Sequence, residues 1–418
     1  MNNYTMNSYE VKRDLVNFSK KISKGLNKPN TKFVMDMLFG IGSCGSTLIS
    51  NIARSLKEDI KLSYTIERLC DHLSSFDKDY SIMNNYYKEI NNLFGDMPIV
   101  LFDDSDISKI HGKKFEDLDE VIDASSPDKK VTPGYHVCEA VALTEKETQP
   151  ISLYSKIYSC QSKNFESKKK YTMESIDKSK EVLNKNIIGI FDRGYDDNKI
   201  IDYLDKNGDK FVIRMQDKRV FLFKGKKKNC YQEAIKRKGK IKMTLLFDDN
   251  VEREVYVSHT KVTLPYNKKD YELVIVYGLS EERPLILLTN LEIHTKEDVI
   301  KVVRLYFSRW RIEEYFRAKK QEYEFENMRV RTLKSMNNIN TILTIYLGYI
   351  SILTEKIDKK LLTLKIIYAS KSLRNKIIVW ISQMARGIKE ILSYCHTGIK
   401  EWQEIEERPL FKQIQLKL

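Results

Sequence analysis

Residues 98–106 have the sequence PIVLFDDSD, a continuous apolar run followed directly by acidic residues. An unbroken run of this kind is typical of a strand that is buried on both faces of a sheet. Residues 186–192, NIIGIFD, repeat the pattern and place Asp192 directly after a second apolar run. Ligand sites of α/β sheets gather at the carboxyl ends of the strands, so Asp103 and Asp192 are predicted to meet at one such edge.

The segments between these strands predict an α/β fold. Residues 135–143 and 151–158 are rich in β-forming residues and flank a polar turn, which predicts a hairpin. Hydrophobic periodicity predicts two helices and a further strand after the hairpin, over residues 172–184, 196–204 and 210–215. Thr172 or Ser175 is a candidate N-cap for the first of these helices.

The composition is that of a globular protein with a polyanionic partner. The chain has 418 residues, of which 42% are hydrophobic and 31% charged, which excludes disordered and fibrous classes. The net charge of +14 favours nucleic acid or an anionic membrane surface as partner. The alternative is a solvated, lysine-rich surface without a partner.

Neither the cysteines nor the apolar segments indicate a secreted or membrane protein. Six cysteines lack C-x-x-C spacing, so we interpret them as reduced thiols and not as a disulfide framework or zinc site. His111 and His136 also lack metal-ligand spacing and are interpreted as structural. Residues 335–354 contain no charge, but their apolar part is short, which favours a buried core helix over a membrane span.

Changes in composition along the chain divide it into five segments. Residues 1–95 are predicted to be a helical N-terminal DNA-binding region, and residues 96–216 and 294–330 are the two parts of a core. Residues 217–293 are a β-rich basic insertion within that core, and residues 331–418 are a helical C-terminal region. A Gly-Ser break at 40–46 is compatible with either a helix-turn-helix unit or a structural bundle. Residues 224–242 hold nine basic residues and one acidic residue. They make Lys226, Lys227 and Lys228 candidates for DNA contact.

Residues 295–327 are predicted to form one long helix. At about 100° per residue, Leu305, Ile312, Phe316 and Tyr323 fall on one stripe, which predicts a core-facing side. The adjoining stripe carries a single carboxylate among cations and a phenol, from residues Tyr306, Arg309, Glu313 and Lys320. Taken alone, this face is compatible with an ordinary ion-pair ladder.

Together with the two aspartates, this glutamate suggests a metal site. Three convergent carboxylates, Asp103, Asp192 and Glu313, repel one another unless cations join them. Oxygen ligands without His or Cys suit Mg²⁺ or Mn²⁺. Asp104 and Asp106 are alternative candidates for the carboxylate of the first strand, but strand alternation places Asp104 on the opposite face from Asp103. A pair of ions about 4 Å apart can activate a hydroxyl and stabilise the leaving oxygen of a phosphodiester.

The four residues Tyr306, Arg309, Glu313 and Lys320 are spaced Y-x2-R-x3-E-x6-K. This spacing resembles the Tyr-Arg-Glu-Lys signature of a large group of bacterial insertion-sequence DDE transposases. Residues 102–107, FDDSDI, and 188–195, IGIFDRGY, resemble the first and second aspartate segments of that group. Residues 288–290 resemble the strand that leads to its glutamate helix.

This resemblance implies an RNase H-like catalytic core that is interrupted by a β-rich insertion. It implies that Asp103, Asp192 and Glu313 are the catalytic residues and hold two Mg²⁺ or Mn²⁺ ions. Tyr306, Arg309 and Lys320 would contact the transposon-end backbone. Arg193 follows the second aspartate and could touch a phosphate or form a turn-stabilising ion pair.

The implied chemistry is hydrolysis at the element's ends, followed by strand transfer of the freed 3′-hydroxyl into target DNA. The implied partners are double-stranded terminal inverted repeats, target DNA and a second copy of the chain, in the bacterial cytoplasm near the nucleoid. Two alternatives stay open: a DNA-binding protein of transposase descent that no longer cuts, and an RNase H-like nuclease without strand transfer.

Overall fold

A computed structural model describes residues 4–122, 130–146, 149–246, 252–279, 283–356, 359–371 and 381–400. The helical prediction for residues 401–418 therefore lies outside the described residues. Residues 4–95 form five α-helices: α1 (Tyr4–Ile22), α2 (Lys28–Cys44), α3 (Ile49–Leu56), α4 (Leu62–Ser75) and α5 (Asp79–Ile90). α2 begins where Asn27 accepts a hydrogen bond from the N–H of Asn30 and ends at Gly45, whose φ of 62° favours glycine. The break before α3 therefore spans residues 45–48 and overlaps the end of the predicted break at 40–46.

The first part of the core contains six strands and two helices: β1 (Ile99–Ser108), β2 (Asp119–Ile122), β3 (Val131–Leu143), β4 (Pro150–Tyr158), α6 (Lys168–Leu183), β5 (Ile188–Phe191), α7 (Asn198–Lys206) and β6 (Lys210–Arg214). The hairpin prediction is confirmed, because β3 and β4 pair antiparallel. α6 starts earlier than predicted. Its N-cap is Ser167, whereas Thr172 and Ser175 are buried inside the helix.

The strand order of this part is that of an RNase H-like core. β4, β3 and β1 are neighbours and antiparallel, and β5 and β6 continue the sheet parallel to β1. β1 and β5 are almost fully buried over their apolar runs, as their sequences predict. The α/β fold class is therefore confirmed.

The insertion extends this sheet rather than folding apart from it. It comprises β7 (Val220–Phe223), β8 (Lys226–Asn229), α8 (Cys230–Ile235), β9 (Ile241–Leu246), β10 (Glu252–Thr263), β11 (Asp270–Tyr277) and β12 (Leu285–Thr289). β12 pairs antiparallel with β6 and is followed outward by β11, β10, β7 and β8, while β9 pairs with β10. The described strands thus form one sheet of twelve strands. Because β12 pairs with β6, the backbone N–H and C=O groups at this edge of the core are hydrogen-bonded and the edge is not exposed.

The predicted long helix is two helices, α9 (Lys296–Phe307) and α10 (Trp310–Glu322). The Ser308 hydroxyl donates to the carbonyl of Leu305 at 2.7 Å, and the backbone N–H of Arg309 bonds to the carbonyl of Tyr306 at 3.0 Å. These short-range bonds tighten the turn and interrupt the α-helical pattern. The prediction of one continuous helix is therefore wrong at this point. The predicted core stripe, from Leu305 to Tyr323, is buried.

α10 is fixed to the sheet by an ion pair with no solvent exposure. Lys319 donates to Glu139 of β3 at 2.8 Å, to Ser155 of β4 at 3.1 Å and to Asn340 at 2.9 Å. Glu139 also accepts hydrogen bonds from the hydroxyls of Ser152 and Ser155. Because every group has a partner, the network holds α10 in one position on the sheet.

The C-terminal helices are α11 (Leu333–Glu355), α12 (Lys360–Ala369) and α13 (Ile381–Ser393). α11 is largely buried, as the uncharged stretch predicts, and Asn337 donates to the carbonyl of Ile157 on β4 at 2.9 Å. Lys12 of α1 donates to the carbonyl of Gly398 at 2.9 Å, so the two terminal regions contact each other. In the described residues no single helix meets the length and apolarity needed to cross a membrane, although α2 and α3, bent by 97°, do so as a pair.

Replacing Lys319 by Met is expected to lower the free energy of unfolding by about 3–5 kcal/mol, because Glu139 stays buried without its counter-ion. Thermal or urea unfolding measures the loss. The matched control is Lys320→Met, whose pair with Glu326 is partly exposed and is expected to cost less than about 1 kcal/mol. Equal stability of the two variants would contradict the anchoring role. Lys319→Met/Glu139→Gln should regain part of the loss.

Candidate active site

The register of the parallel strands sets Asp103 beside Asp192. Phe102 of β1 is the partner of Phe191 of β5, and their rings stack with centroids 4.6 Å apart. The pairing of β1 with β5 ends there, and Asp103 and Asp192 are the next residues on each chain segment. Asp103 does not end its strand, however, since β1 continues along β3 to Ser108. Only the parallel pairing of β1 with β5 ends before Asp103, so the two strands are no longer hydrogen-bonded to each other at the aspartates.

Alternation along β1 separates the three candidate aspartates. Asp103 faces α9 and α10, where its carboxylate accepts a hydrogen bond from Arg309 at 3.2 Å. Asp106 lies on the opposite face and contacts His136 Nδ1 at 2.8 Å. Asp104 pairs in register with Cys138 on that same opposite face. Asp103 is therefore the β1 carboxylate on the face of Arg309.

Arg309 joins the carboxylates of two different elements. One of its guanidinium nitrogens binds Asp103 and the other binds Glu313, one turn further along α10. Tyr306 donates its hydroxyl to Asp192 Oδ1 at 3.1 Å, and Arg214 Nη1 lies 3.6 Å from the same oxygen. The structure thus gathers the three predicted carboxylates around one signature arginine.

The electrostatics of the two aspartates differ. Burial raises the pKa of Asp103 to about 7, although the charge of Arg309 opposes this. Burial also acts on Asp192, but the backbone N–H of Arg193 and the charges of Arg309 and Arg214 lower its pKa below the usual value. Asp103 is thus the carboxylate whose charge is most costly in the isolated site, and a bound cation would relieve that cost.

The donor set fits a hard divalent cation. Asp103, Asp192 and Glu313 offer carboxylate oxygens, with no sulfur or imidazole among them. Glu313 is also 47% exposed, so its carboxylate can move between Arg309 and an ion. Mg²⁺ and Mn²⁺ prefer such ligands and retain bound water.

The remaining predicted contacts are spread more widely. Lys320 lies two turns, about 10 Å, beyond Glu313 on α10, and pairs with Glu326 at 3.3 Å. Arg193 is exposed directly after β5. Lys226, Lys227 and Lys228 lie on β8 at the outer edge of the sheet, where Lys228 pairs with Glu233 at 3.1 Å. Five of the described strands separate β8 from β5, so these lysines are remote from the carboxylates.

A cationic cleft of about 690 Å³ adjoins the carboxylates. Aromatic residues from α9 and α10 line it, namely Tyr306, Phe307 and Trp310. Five arginines also line it, Arg193, Arg214, Arg253, Arg283 and Arg309. Two of them, Arg253 and Arg283, come from the insertion, which thereby forms one wall of the cleft.

Sequence reasoning missed three of these arginines. Arg214 ends β6, so the argument that selected Asp103 and Asp192 at strand ends would have selected Arg214 as well. Arg253 and Arg283 carried no such signal, because only the continuation of the sheet into the insertion brings them to the site.

Asp103→Asn is expected to stabilise the cation-free protein at pH 8 by on the order of 2 kcal/mol, and to have no such effect near pH 4. Between the pKa of an unfolded aspartate and about 7, the folded protein keeps a proton that the unfolded chain has lost. Stability therefore falls as the pH rises through this window, and asparagine removes that fall. Unfolding in the presence of a chelator across this pH range measures it.

The control is Asp71→Asn, which removes an exposed carboxylate on α4. Its effect should not change with pH in this way. A difference between Asp103→Asn and the wild type that is constant from pH 4 to pH 8 would contradict the raised pKa.

Comparison with known proteins places the chain in a family. Residues 96–347 match the family model described as "Transposase DDE domain", and this range includes Asp103, Asp192 and Glu313. No curated protein sequence matches the chain. A cryo-EM structure of the piggyBac transposase synaptic complex with hairpin DNA is similar at a TM-score of 0.47 and 9% identity, over 97% of this chain and 80% of that chain. Because the matched range is more than half of the 418 residues, the chain belongs to the transposase DDE domain family.

Proposed function

We propose that this chain is a transposase of the bacterial insertion-sequence group with the Tyr-Arg-Glu-Lys signature. It cleaves DNA at the ends of its element and transfers the freed 3′-hydroxyl into target DNA. The observation that carries the proposal is the convergence of Asp103, Asp192 and Glu313, from β1, the end of β5 and α10, beside a cleft lined by arginines.

In this proposal, Asp103, Asp192 and Glu313 hold two Mg²⁺ or Mn²⁺ ions. Cations bound there supply Lewis-acid activation of the attacking hydroxyl and stabilise charge on the leaving oxygen. The carboxylates come from three elements whose mutual positions are fixed by strand register and by the Lys319 network. Strand register would hold Asp103 and Asp192 side by side, and the partly exposed Glu313 would move from Arg309 to complete the ligand set.

The signature residues position the carboxylates as well as the DNA. Tyr306 is buried and donates to Asp192, so it orients that side chain. Arg309 neutralises Asp103 and Glu313 while the site lacks a cation. Cations bound there would compete with Arg309 for these carboxylates, and its guanidinium also lines the cleft, where it could bind a phosphate bidentately. Lys320, two turns beyond Glu313 on α10, would contact the DNA backbone.

The DNA would run through the arginine-lined cleft and on toward β8. Arg214, Arg253 and Arg283 match a phosphate backbone in charge, and Trp310 offers an aromatic surface for a displaced base. We further propose two copies of the chain on paired inverted repeats, acting in the cytoplasm near the nucleoid. The N-terminal helices would contribute DNA contacts.

Glu313→Gln is expected to abolish cleavage of a DNA end in Mg²⁺ while leaving DNA binding intact, since one metal ligand is lost and the charge becomes less negative. An end-cleavage assay and a binding assay on the same duplex measure the two effects. The matched control is Glu314→Gln, because Glu314 pairs with Arg317 and not with a member of the carboxylate cluster. This variant should cleave DNA normally.

Undiminished cleavage by Glu313→Gln would overturn the site assignment. Cleavage by the wild type without joining to target DNA would favour the nuclease alternative. Binding without any cleavage by the wild type would favour an inactive descendant. The DNA substrate for these assays would be the inverted repeat that this proposal places beside the coding region.

The salt dependence of DNA binding tests the DNA path. Arg253→Gln/Arg283→Gln is expected to weaken binding and to reduce the slope of log affinity against log salt by about 2, since each phosphate contact contributes about 0.9. The triple exchange of Lys226, Lys227 and Lys228 to Gln should also reduce the slope, because two of these lysines are exposed on the edge strand.

Titrations of a labelled duplex at several salt concentrations measure both variants. An unchanged slope for the lysine triple variant would mean that these side chains are merely solvated. An unchanged slope for the arginine variant would place the DNA outside the cleft.

A further inference from the structure

A second group of potential metal ligands lies apart from the carboxylates. Asp119, His136 and Cys160 place a carboxylate oxygen, an imidazole nitrogen and a sulfur within 4.8 Å of one another. In the described residues this is the one such group of His, Cys, Asp and Glu. From the sequence we interpret His136 as structural, because it lacks metal-ligand spacing. The three residues of this cluster are far apart along the chain.

The cluster lies where two edge strands meet. β2 pairs with β3 over residues 131–134, and β4 pairs with β3 from His136 onward. Asp119 begins β2 opposite Gly134, and Cys160 follows the end of β4. The N–H of Cys160 donates to Asp119 at 2.6 Å, so the ends of the two strands already touch.

The cluster is distinct from the proposed catalytic site. His136 is the register partner of Asp106, which alternation places on the face of β1 opposite to Asp103. Three residues along a strand also separate Asp103 from Asp106, about 10 Å. The two sites therefore cannot share an ion.

The imidazole is oriented as metal-bound histidines are. Its Nδ1 lies 2.8 Å from the Asp106 carboxylate, which fixes the proton on Nδ1 when the ring is neutral. The lone pair of Nε2 then points toward the cluster, where Asp119 Oδ2 lies at 3.7 Å. Two acceptors that face each other repel, unless a cation or a second proton lies between them.

We propose that Asp119, His136 and Cys160 bind a zinc ion, with Asp106 as the hydrogen-bond partner that orients His136. Mixed nitrogen, sulfur and oxygen donors suit Zn²⁺ and disfavour Mg²⁺. Ligand atoms around tetrahedral zinc lie about 3.5 Å apart, so the side chains need to close by about 1 Å. Asp119 and His136 are nearly buried, and the half-buried Cys160 leaves solvent room to supply a fourth ligand.

The ion would stabilise the contact between the start of β2 and the end of β4, and would connect both to β1, the strand that carries Asp103. Asp119 belongs to β2, Cys160 follows β4, and Asp106 connects their histidine to β1. The competing arrangement has no metal. In it, a protonated His136 is held between Asp106 and Asp119, and Cys160 only donates hydrogen bonds to Asp119.

Cobalt substitution separates the two arrangements. The purified full chain, stripped with a chelator, is titrated with Co²⁺ and its near-ultraviolet absorption is recorded. We expect a thiolate-to-cobalt charge-transfer band that saturates at one equivalent per chain and disappears when Zn²⁺ is added. This band reports sulfur ligation, so ions at Asp103, Asp192 and Glu313 do not produce it.

Variants locate the ligands. Cys160→Ser should lose the band, whereas Cys70→Ser, which alters a half-buried thiol on α4, should keep it. Asp106→Asn should keep the band but bind Co²⁺ about 10–100-fold more weakly. Circular dichroism of each metal-free variant confirms that it is folded. Absence of the band in the wild type, or its persistence in Cys160→Ser, would overturn the proposal. Loss of DNA cleavage by Glu313→Gln is independent of either result.

Discussion

Mutual repulsion among the carboxylates of Asp103, Asp192 and Glu313 is the constraint on which the proposed active site depends. Three carboxylates in a partly buried pocket are stable only beside positive charge. Arg309 provides it, with one hydrogen bond to Asp103 and another to Glu313. The raised pKa of Asp103 shows that this charge does not fully offset burial. The site therefore favours any cation that can bind the carboxylates more closely than a guanidinium does.

The scaffold holds these charges together by connecting three distant parts of the chain. The parallel register of β1 and β5 sets the aspartates side by side, and the Lys319–Glu139 pair fixes α10 on β3. In the register of β1 and β3, Glu139 lies opposite Asp103, so the anchor and the site share one face of the sheet. The tight turn at Ser308 joins α9 to α10 and keeps Tyr306 and Arg309 over the aspartates.

Local patterns predicted the elements of the core but not how they end or continue. The apolar runs before Asp103 and Asp192 predicted buried strands, and alternation separated Asp103 from Asp104. The extension of β1 to Ser108 depends on pairing with β3, which a run of acidic residues does not indicate. The break at Ser308 depends on short-range hydrogen bonds of Ser308 and Arg309, which helical periodicity does not indicate. The arginine-lined cleft follows from the pairing of β12 with β6, a long-range contact without a local signal.

The proposed function depends on the binding of divalent ions by Asp103, Asp192 and Glu313 together. Anomalous scattering at the manganese edge, from crystals of the full chain with an inverted-repeat duplex and Mn²⁺, tests it most directly. Anomalous peaks bounded by these three carboxylates are expected, with Arg309 moved away from at least one of them. A well-ordered complex with manganese bound elsewhere, and with Arg309 still joining Asp103 to Glu313, would contradict it.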